Sequence, residues 1–328
     1  MTDVLVEPVL DKGPEGTQIS CLCQSFLRAT ERAALASARW LGRADQEGAD
    51  NAAATGMRAT LDLLPIRGRI VIGSADSEDL APGATLGAGG GEFDLALDPL
   101  EGRGVVARGG NGAMSMIAVG EPGKLMALPE MYMRKMAVGP LARGSIDLLR
   151  PVADNVQAIA DAFGRRVNDV TTIVLDRPRH HDLIEEIRNS GARIKLIQDG
   201  DVTAAISAAI RGTNDHLAIG IGGTRQAVLS AAALRCLGGE LQAQFWPTSR
   251  REIDELRERG IEDYTQVFRT EDLALGEVIV AATGVSNGDL LRGVRFLADS
   301  ARTHSLLMCT RCNWVRFVDG VHFFARER

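Results

Sequence analysis

Asp98-Pro99-Leu100-Glu101-Gly102 projects two carboxylates from a single turn. Such a pair suits a hard divalent cation such as Mg²⁺, which takes oxygen ligands and retains water. A cation held there polarises a phosphoryl oxygen and activates an attacking water. Pro99 fixes the backbone and Gly102 lets a ligand approach closely. On these five residues alone, a solvated acidic turn explains the pattern as well. A second constellation is Cys309-Thr310-Arg311-Cys312, whose spacing suits a metal or redox pair. No second CxxC or His pair stands near it in the sequence. The run Ser305 to Phe317 reads as one strand, on which residues three apart face opposite sides. These thiols are therefore expected to be ordinary core and surface cysteines.

The elements that must position the acidic turn are legible on either side of it. Cys23 to Leu41 and Gly48 to Leu64 show helical apolar spacing, the second closed by Pro65. Ile70-Val71-Ile72 and Phe93 to Leu97 are short strands, the latter delivering the chain into Asp98. Between them Gly83 to Gly91 is a glycine-rich loop. After residue 170 the pattern alternates strand and helix: Val170 to Leu175, His181 to Asn189, Ala192 to Ile197, Val202 to Arg211, Leu217 to Ile221, then a helix through Cys236. This rhythm predicts parallel strands with crossover helices, with ligand loops at the carboxyl ends of the strands. Asp176 to His180, Asp199 to Asp201 and Gly222 to Gln226 fall there. Pro151 and Asp154 suggest a boundary, so the expected organisation is a leader over 1–20, a lobe over 21–150 and a second lobe over 151–328.

A chain of 328 residues with 45% hydrophobic and 24% charged residues is of ordinary globular composition. Its net charge of −6 argues against a nucleic-acid or anionic-membrane partner. No apolar run reaches the length of a membrane span, and Met1 to Gln18 lacks the pattern of a secretory signal. Five cysteines are too few and too odd for a disulfide framework, so a reducing cytoplasm is expected.

The motif Asp-Pro-x-Glu/Asp-Gly after a strand resembles the core of the metal-dependent, lithium-sensitive sugar phosphatases. The whole chain is similar to one branch, the class II fructose-1,6-bisphosphatases, which include fructose-1,6-/sedoheptulose-1,7-bisphosphatases. The matching segments run in order. They include Trp40-Leu41-Gly42-Arg43, Gly48-Ala49-Asp50, Met131-Tyr132-Met133, Asp176-Arg177-Pro178-Arg179-His180, Asp199-Gly200-Asp201-Val202 and Gly220-Ile221-Gly222-Gly223. The resemblance implies an α/β fold, a layered α/β/α/β/α sandwich of the sugar phosphatase type. It also implies hydrolysis of the 1-phosphate of a sugar bisphosphate with Mn²⁺ or Mg²⁺, and a homo-oligomer, dimer or tetramer. Asp50, Asp98 and Glu101 match metal ligands. Tyr132 matches the residue against the sugar, Arg177-Pro178-Arg179 a phosphate clamp, Asp199, Gly200 and Asp201 the sugar-hydroxyl loop, and Gly223 a backbone contact. Gly102 joins Glu101 at the phosphate. His180 is expected to be a loop hydrogen-bonder.

Departures fall on the metal site. The family's Gly-Glu-Gly-Glu strand end reads Gly73-Ser74-Ala75-Asp76, and its Gly-Gly-x-Pro-Glu-Gly reads Gly222-Gly223-Thr224-Arg225-Gln226-Ala227. Two ligating glutamates are thus Ser74 and Gln226, and the threonine after Glu-Gly is Arg103. Neutral oxygens hold a hard cation more weakly than carboxylates, so a weakened site is expected, with one or two cations or none. Asp76 is a candidate substitute ligand, and Arg103 a source of compensating charge at the catalytic centre. Two functions follow: a phosphatase with a rewritten metal site, acting on the family's bisphosphates or on a changed sugar phosphate, or a weakened paralogue that binds sugar phosphates as a sensor or partner subunit.

Overall fold

The computed structural model describes residues 22–74 and 80–324; the expected leader and Asp76 lie outside them. Along the chain come α1 (Cys23–Ser37), α2 (Gln46–Leu61), β1 (Ile66–Ile72), β2 (Thr85–Leu86), β3 (Gly91–Glu101), α3 (Arg103–Arg108), β4 (Met114–Gly120) and β5 (Tyr132–Val138). Next are α4 (Val152–Phe163), β6 (Thr171–Leu175), α5 (His181–Ser190), β7 (Arg193–Ile197), α6 (Asp201–Ala209), β8 (Leu217–Gly223) and α7 (Thr224–Leu237). The chain closes with β9 (Glu240–Phe245), α8 (Arg250–Glu258), β10 (Phe268–Arg269), α9 (Thr270–Leu273), β11 (Val278–Gly284), β12 (Arg295–Phe296), β13 (Ser300–Cys309) and β14 (Trp314–Phe323).

Two sheets form. An eight-stranded one has the order β12-β13-β11-β4-β3-β1-β2, with β14 on β13; a six-stranded one has β10-β9-β5-β8-β6-β7. The predicted parallel pattern holds for β6, β7 and β8, joined by α5 and α6. Strands β5 and β9 then extend that sheet antiparallel.

Alternation along the central strands sets the layers. Leu95, Leu97, Ile117 and Val119 face Phe26 and Met57 of α1 and α2. Ala96, Met116 and Val280 face the opposite way, into a core shared with Ile206 and Leu229 of α6 and α7 and with Met133 and Ala243 of the second sheet. Helix α7 carries Ala227, Ala231, Ala232 and Ala233, all buried. A helix between two sheets must be apolar around most of its circumference, and small residues let both sheets come near. Ile159 of α4 and Ile184 of α5 cover the outer face of the second sheet. The result is the expected α/β/α/β/α sandwich.

The sheets do not divide near residue 150. Strand β5, from Tyr132, already belongs to the second sheet, and Val278 onward returns to the first. Val278 of β11 pairs with Gly120 of β4, so the second sheet is inserted between two neighbouring strands of the first.

Two local features correct the sequence reading. Ser305 to Phe317 is not one strand: β13 ends at Cys309 and turns back into β14, with Cys309 paired to Trp314. Asn313 takes φ +50° in that turn, a conformation asparagine tolerates. The glycine-rich loop contains β2 and closes onto the start of β1. A Cβ at Gly87 would meet the Ile66 carbonyl oxygen at 2.1 Å, so only glycine permits the approach. Among the described residues, no helix is long and apolar enough to cross a membrane.

Candidate active site

Strand β3 runs through the centre of the first sheet and carries the acidic turn at its end. A bulge between Asp98 and Glu101 breaks its register with β4. Bulges re-aim side chains next to active sites, and here both carboxylates end up buried, at 3% and 4% exposure. Asp98 Oδ2 accepts a hydrogen bond from Gln226 Nε2 at 3.0 Å. Its Oδ1 lies 3.8 Å from Arg225 Nη1. Burial raises the Asp98 carboxyl above its usual range, Arg225 opposes the rise, and Asp50 and Asp199 add to it. Glu101 Oε1 accepts from the Val202 backbone N–H at 3.0 Å, at the first turn of α6. Its Oε2 is buried without a hydrogen-bond partner. Burial lifts Glu101 well above the usual range, with Asp98 adding to the lift.

The second sheet supplies the facing loops. The Arg179 guanidinium lies 4.9 Å from the Tyr132 ring centroid, and Tyr132 is 42% exposed. Arg179 is held there by two hydrogen bonds to the Ile221 carbonyl, at 3.2 and 2.9 Å. Arg177 donates to the carbonyls of Asp176 and Gln198. Pro178 opens the short 3-10 turn that orients both arginines. Asp199 accepts from the Gly200 N–H. Burial raises its carboxyl while Gly200 and Arg177 pull it down. Gly200 caps α6, and Asp201 is that helix's first residue.

Asp201, expected from the sequence at the sugar hydroxyls, has a side-chain partner within the protein. It pairs with Lys135, a 5% exposed residue on β5. Lys135 also donates to the Gly223 carbonyl at 3.1 Å. A Cβ at Gly222 would stand 2.1 Å from Asp201 Oδ2, so glycine there makes room for the pair. His180 is buried, with Nδ1 2.8 Å from the Leu175 carbonyl and Nε2 accepting the Ile221 N–H at 2.7 Å. It fixes the clamp loop against β8 in neutral form, its pKa lowered by burial.

A family profile described as bacterial fructose-1,6-bisphosphatase, glpX-encoded, matches residues 20–322. The chain belongs to the class II fructose-1,6-bisphosphatase family. A D-fructose 1,6-bisphosphatase class 2/sedoheptulose 1,7-bisphosphatase from a Synechococcus species is 43% identical to it, over 90% of this chain and 94% of the relative. Proteins of the same description from Microcystis aeruginosa and a Synechocystis species are each 40% identical, over 94% and 92% of this chain and 98% and 96% of their own. Members of this family are phosphoric monoester hydrolases and depend on metal.

The residues present fit a reduced version of the family's metal centre. Glu101 Oε2, buried and lacking a partner, is an atom that a cation would satisfy. The surroundings of Asp98 are different, since a guanidinium and an amide already meet its two oxygens. Asp50 sits on α2, half-buried and near enough to Asp98 to raise its pKa. Ser74 follows β1, buried, its N–H donating to the Leu80 carbonyl. Extending the parallel register Ile72 to Ala96 carries residue 74 level with Asp98. Among the described residues, no three carboxylates bring donor atoms within 4.8 Å of one another. Glu101 Oε2 is thus the atom of this site that a hard cation would engage.

Two residues escaped the sequence reading. The positive group at Asp98 is Arg225, whereas Arg103 is exposed at the start of α3. Arg225 replaces the proline of the family's Gly-Gly-x-Pro-Glu-Gly, so the signal stood beside Gln226. Lys135 left a weaker mark, as a lysine beside Arg134 in the otherwise apolar strand Met133 to Val138.

Proposed function

We propose that the protein hydrolyses the 1-phosphate of a sugar bisphosphate, fructose-1,6-bisphosphate or sedoheptulose-1,7-bisphosphate, with Mn²⁺ or Mg²⁺ held by Asp98 and Glu101 and assisted by Asp50. The observation that carries this reading is the Val202 N–H to Glu101 hydrogen bond, which joins the acidic turn of one sheet to the Asp199–Asp201 loop of the other. When bound, the cation supplies Lewis-acid polarisation of the phosphoryl oxygen. Asp50 orients the attacking water. Arg225, beside Asp98, offsets the charge that a second cation would offset, and Arg103 at the mouth of the turn adds a positive group for the incoming phosphate. Arg177 and Arg179 hold the distal phosphate, to which a guanidinium presents two parallel donors. Tyr132 packs the sugar face and Asp199 accepts from sugar hydroxyls. Gly102, Gly200 and Gly223 keep the backbone close to the ligand. The working form is a homo-oligomer, dimer or tetramer, which light scattering would measure.

The capping of Asp98 by Gln226 and Arg225 favours a second reading, a weakened paralogue that binds sugar phosphates without useful turnover. Phosphate release from both bisphosphates and a sugar-phosphate panel, with Mn²⁺ or Mg²⁺, separates the two. Metal-dependent release supports hydrolysis. No turnover on any substrate, with ligand-induced thermal stabilisation retained, selects the sensor.

A further inference from the structure

We propose that Cys23, Cys309 and Cys312 form a structural zinc site that pins the β13–β14 hairpin to the start of α1. The three sulfurs lie within 4.8 Å of one another, although they come from opposite ends of the chain. Cys23 Sγ stands 3.9 Å from Cys312 Sγ, a pair 289 residues apart in sequence. A tetrahedral Zn²⁺ with Zn–S bonds of ~2.3 Å places its sulfurs about 3.8 Å apart. A disulfide requires a separation near 2.05 Å.

The turn between β13 and β14 is shaped for thiolates. The Cys312 N–H donates to Cys309 Sγ at 3.3 Å. Such a bond from backbone to sulfur favours the charged form that a cation requires. Two thiols of a CxxC turn and one from a helix start make three corners of a tetrahedron. Cys21 precedes Cys23 by two residues and lies outside the described residues. Sulfur-rich tetrahedral sites select Zn²⁺ over the hard cations of a carboxylate centre. Thiol protons go to solvent as the metal binds.

This site is independent of catalysis. Strand register puts Cys309 level with Ile279, Val119 and Leu95, whereas Glu101 is level with Met114 and Gly284. The six residue steps from Leu95 to Glu101 span about 20 Å of strand. The cation would thus join the first helix to the last hairpin of the first sheet at the end remote from the acidic turn.

The test uses the full chain, expressed with zinc and kept reduced. We expect one zinc per chain by elemental analysis, retained in Glu101→Gln. Replacement of zinc by Co²⁺ in the wild-type protein should give the intense visible bands of tetrahedral cobalt with thiolate-to-metal charge transfer. Cys309→Ser and Cys312→Ser should abolish those bands while far-ultraviolet circular dichroism is retained. Zinc below stoichiometry with no tetrahedral cobalt spectrum in the wild type overturns the proposal, and because this arm needs no variant, misfolding cannot confuse it. A disulfide among these cysteines in the freshly purified reduced protein, or iron in place of zinc, overturns it as well.

Discussion

Gln226 Nε2 reaches Asp98 Oδ2 at 3.0 Å while Arg225 Nη1 approaches the other oxygen at 3.8 Å. A buried carboxylate that relatives would satisfy with cations is here met by side chains of the first turn of α7. A guanidinium and an amide are fixed to the protein, so part of the electrostatic balance no longer depends on dissolved metal.

Gln226→Glu should therefore behave oppositely with and without metal. In chelator, a second carboxylate against buried Asp98 should destabilise the fold by about 1–3 kcal/mol. Added Mn²⁺ should more than restore the loss, and thermal melts with and without Mn²⁺ measure both effects. Combined with Ser74→Glu and Arg103→Thr, the change should raise metal-dependent phosphate release. Unchanged release from a folded triple variant would place the deficit elsewhere, with Arg225 the next position to change.

Removing the guanidinium probes the same balance from the other side. Arg225 holds the Asp98 pKa down against burial, so Arg225→Ala should raise it further. The acid limb of kcat/KM should move to higher pH. An unmoved limb would show that Asp98 does not control that ionisation.

Stability of the chelated protein should fall as pH rises. Burial raises Glu101 well above, and Asp98 and Asp199 above, their ordinary values. The folded state then binds more protons than the unfolded chain at pH values just above the ordinary carboxylate range. The cost of ionising these groups in place is absent below that range and grows until pH passes the folded-state pKa values. Urea denaturation across this window should show the decline, and Glu101→Gln should flatten it. Saturating Mn²⁺ should reverse the slope, because ionised ligands bind the cation.

Lys135→Met should cost about 3 kcal/mol in urea unfolding by leaving Asp201 without its partner. The double change with Asp201→Asn should cost less than the sum of the single changes, since the two residues are in direct contact. Additive losses would mean that the pair is not coupled.

At the clamp, Tyr132→Ala should raise KM about tenfold with little change in kcat, equivalent to about 1.4 kcal/mol of binding. Tyr132→Phe should keep most of the affinity, because the ring under Arg179 survives. A fall in kcat alone would move Tyr132 from binding to chemistry.

Local pattern carried much of this molecule. Helical spacing and strand alternation place the principal elements, because burial on one face or two leaves a period in the residues. The motif order places Arg177, Arg179 and Asp199 after the carboxyl ends of strands, where the structure has them, and Tyr132 opens β5. That Ser74 and Gln226 carry no carboxylate was equally plain, since charge is a property of a side chain and not of its neighbours. Who stands beside whom was not. That Arg225 and not Arg103 meets Asp98, that Asp201 is taken by Lys135, and that Cys23 gathers with Cys309 and Cys312 are contacts between residues far apart in sequence. They depend on the insertion of one sheet into another and on a turn at Asn313 that splits an apparently continuous strand. Residue types set which charges and thiols the chain holds; the packing of two sheets about α6 and α7 decided which of them meet.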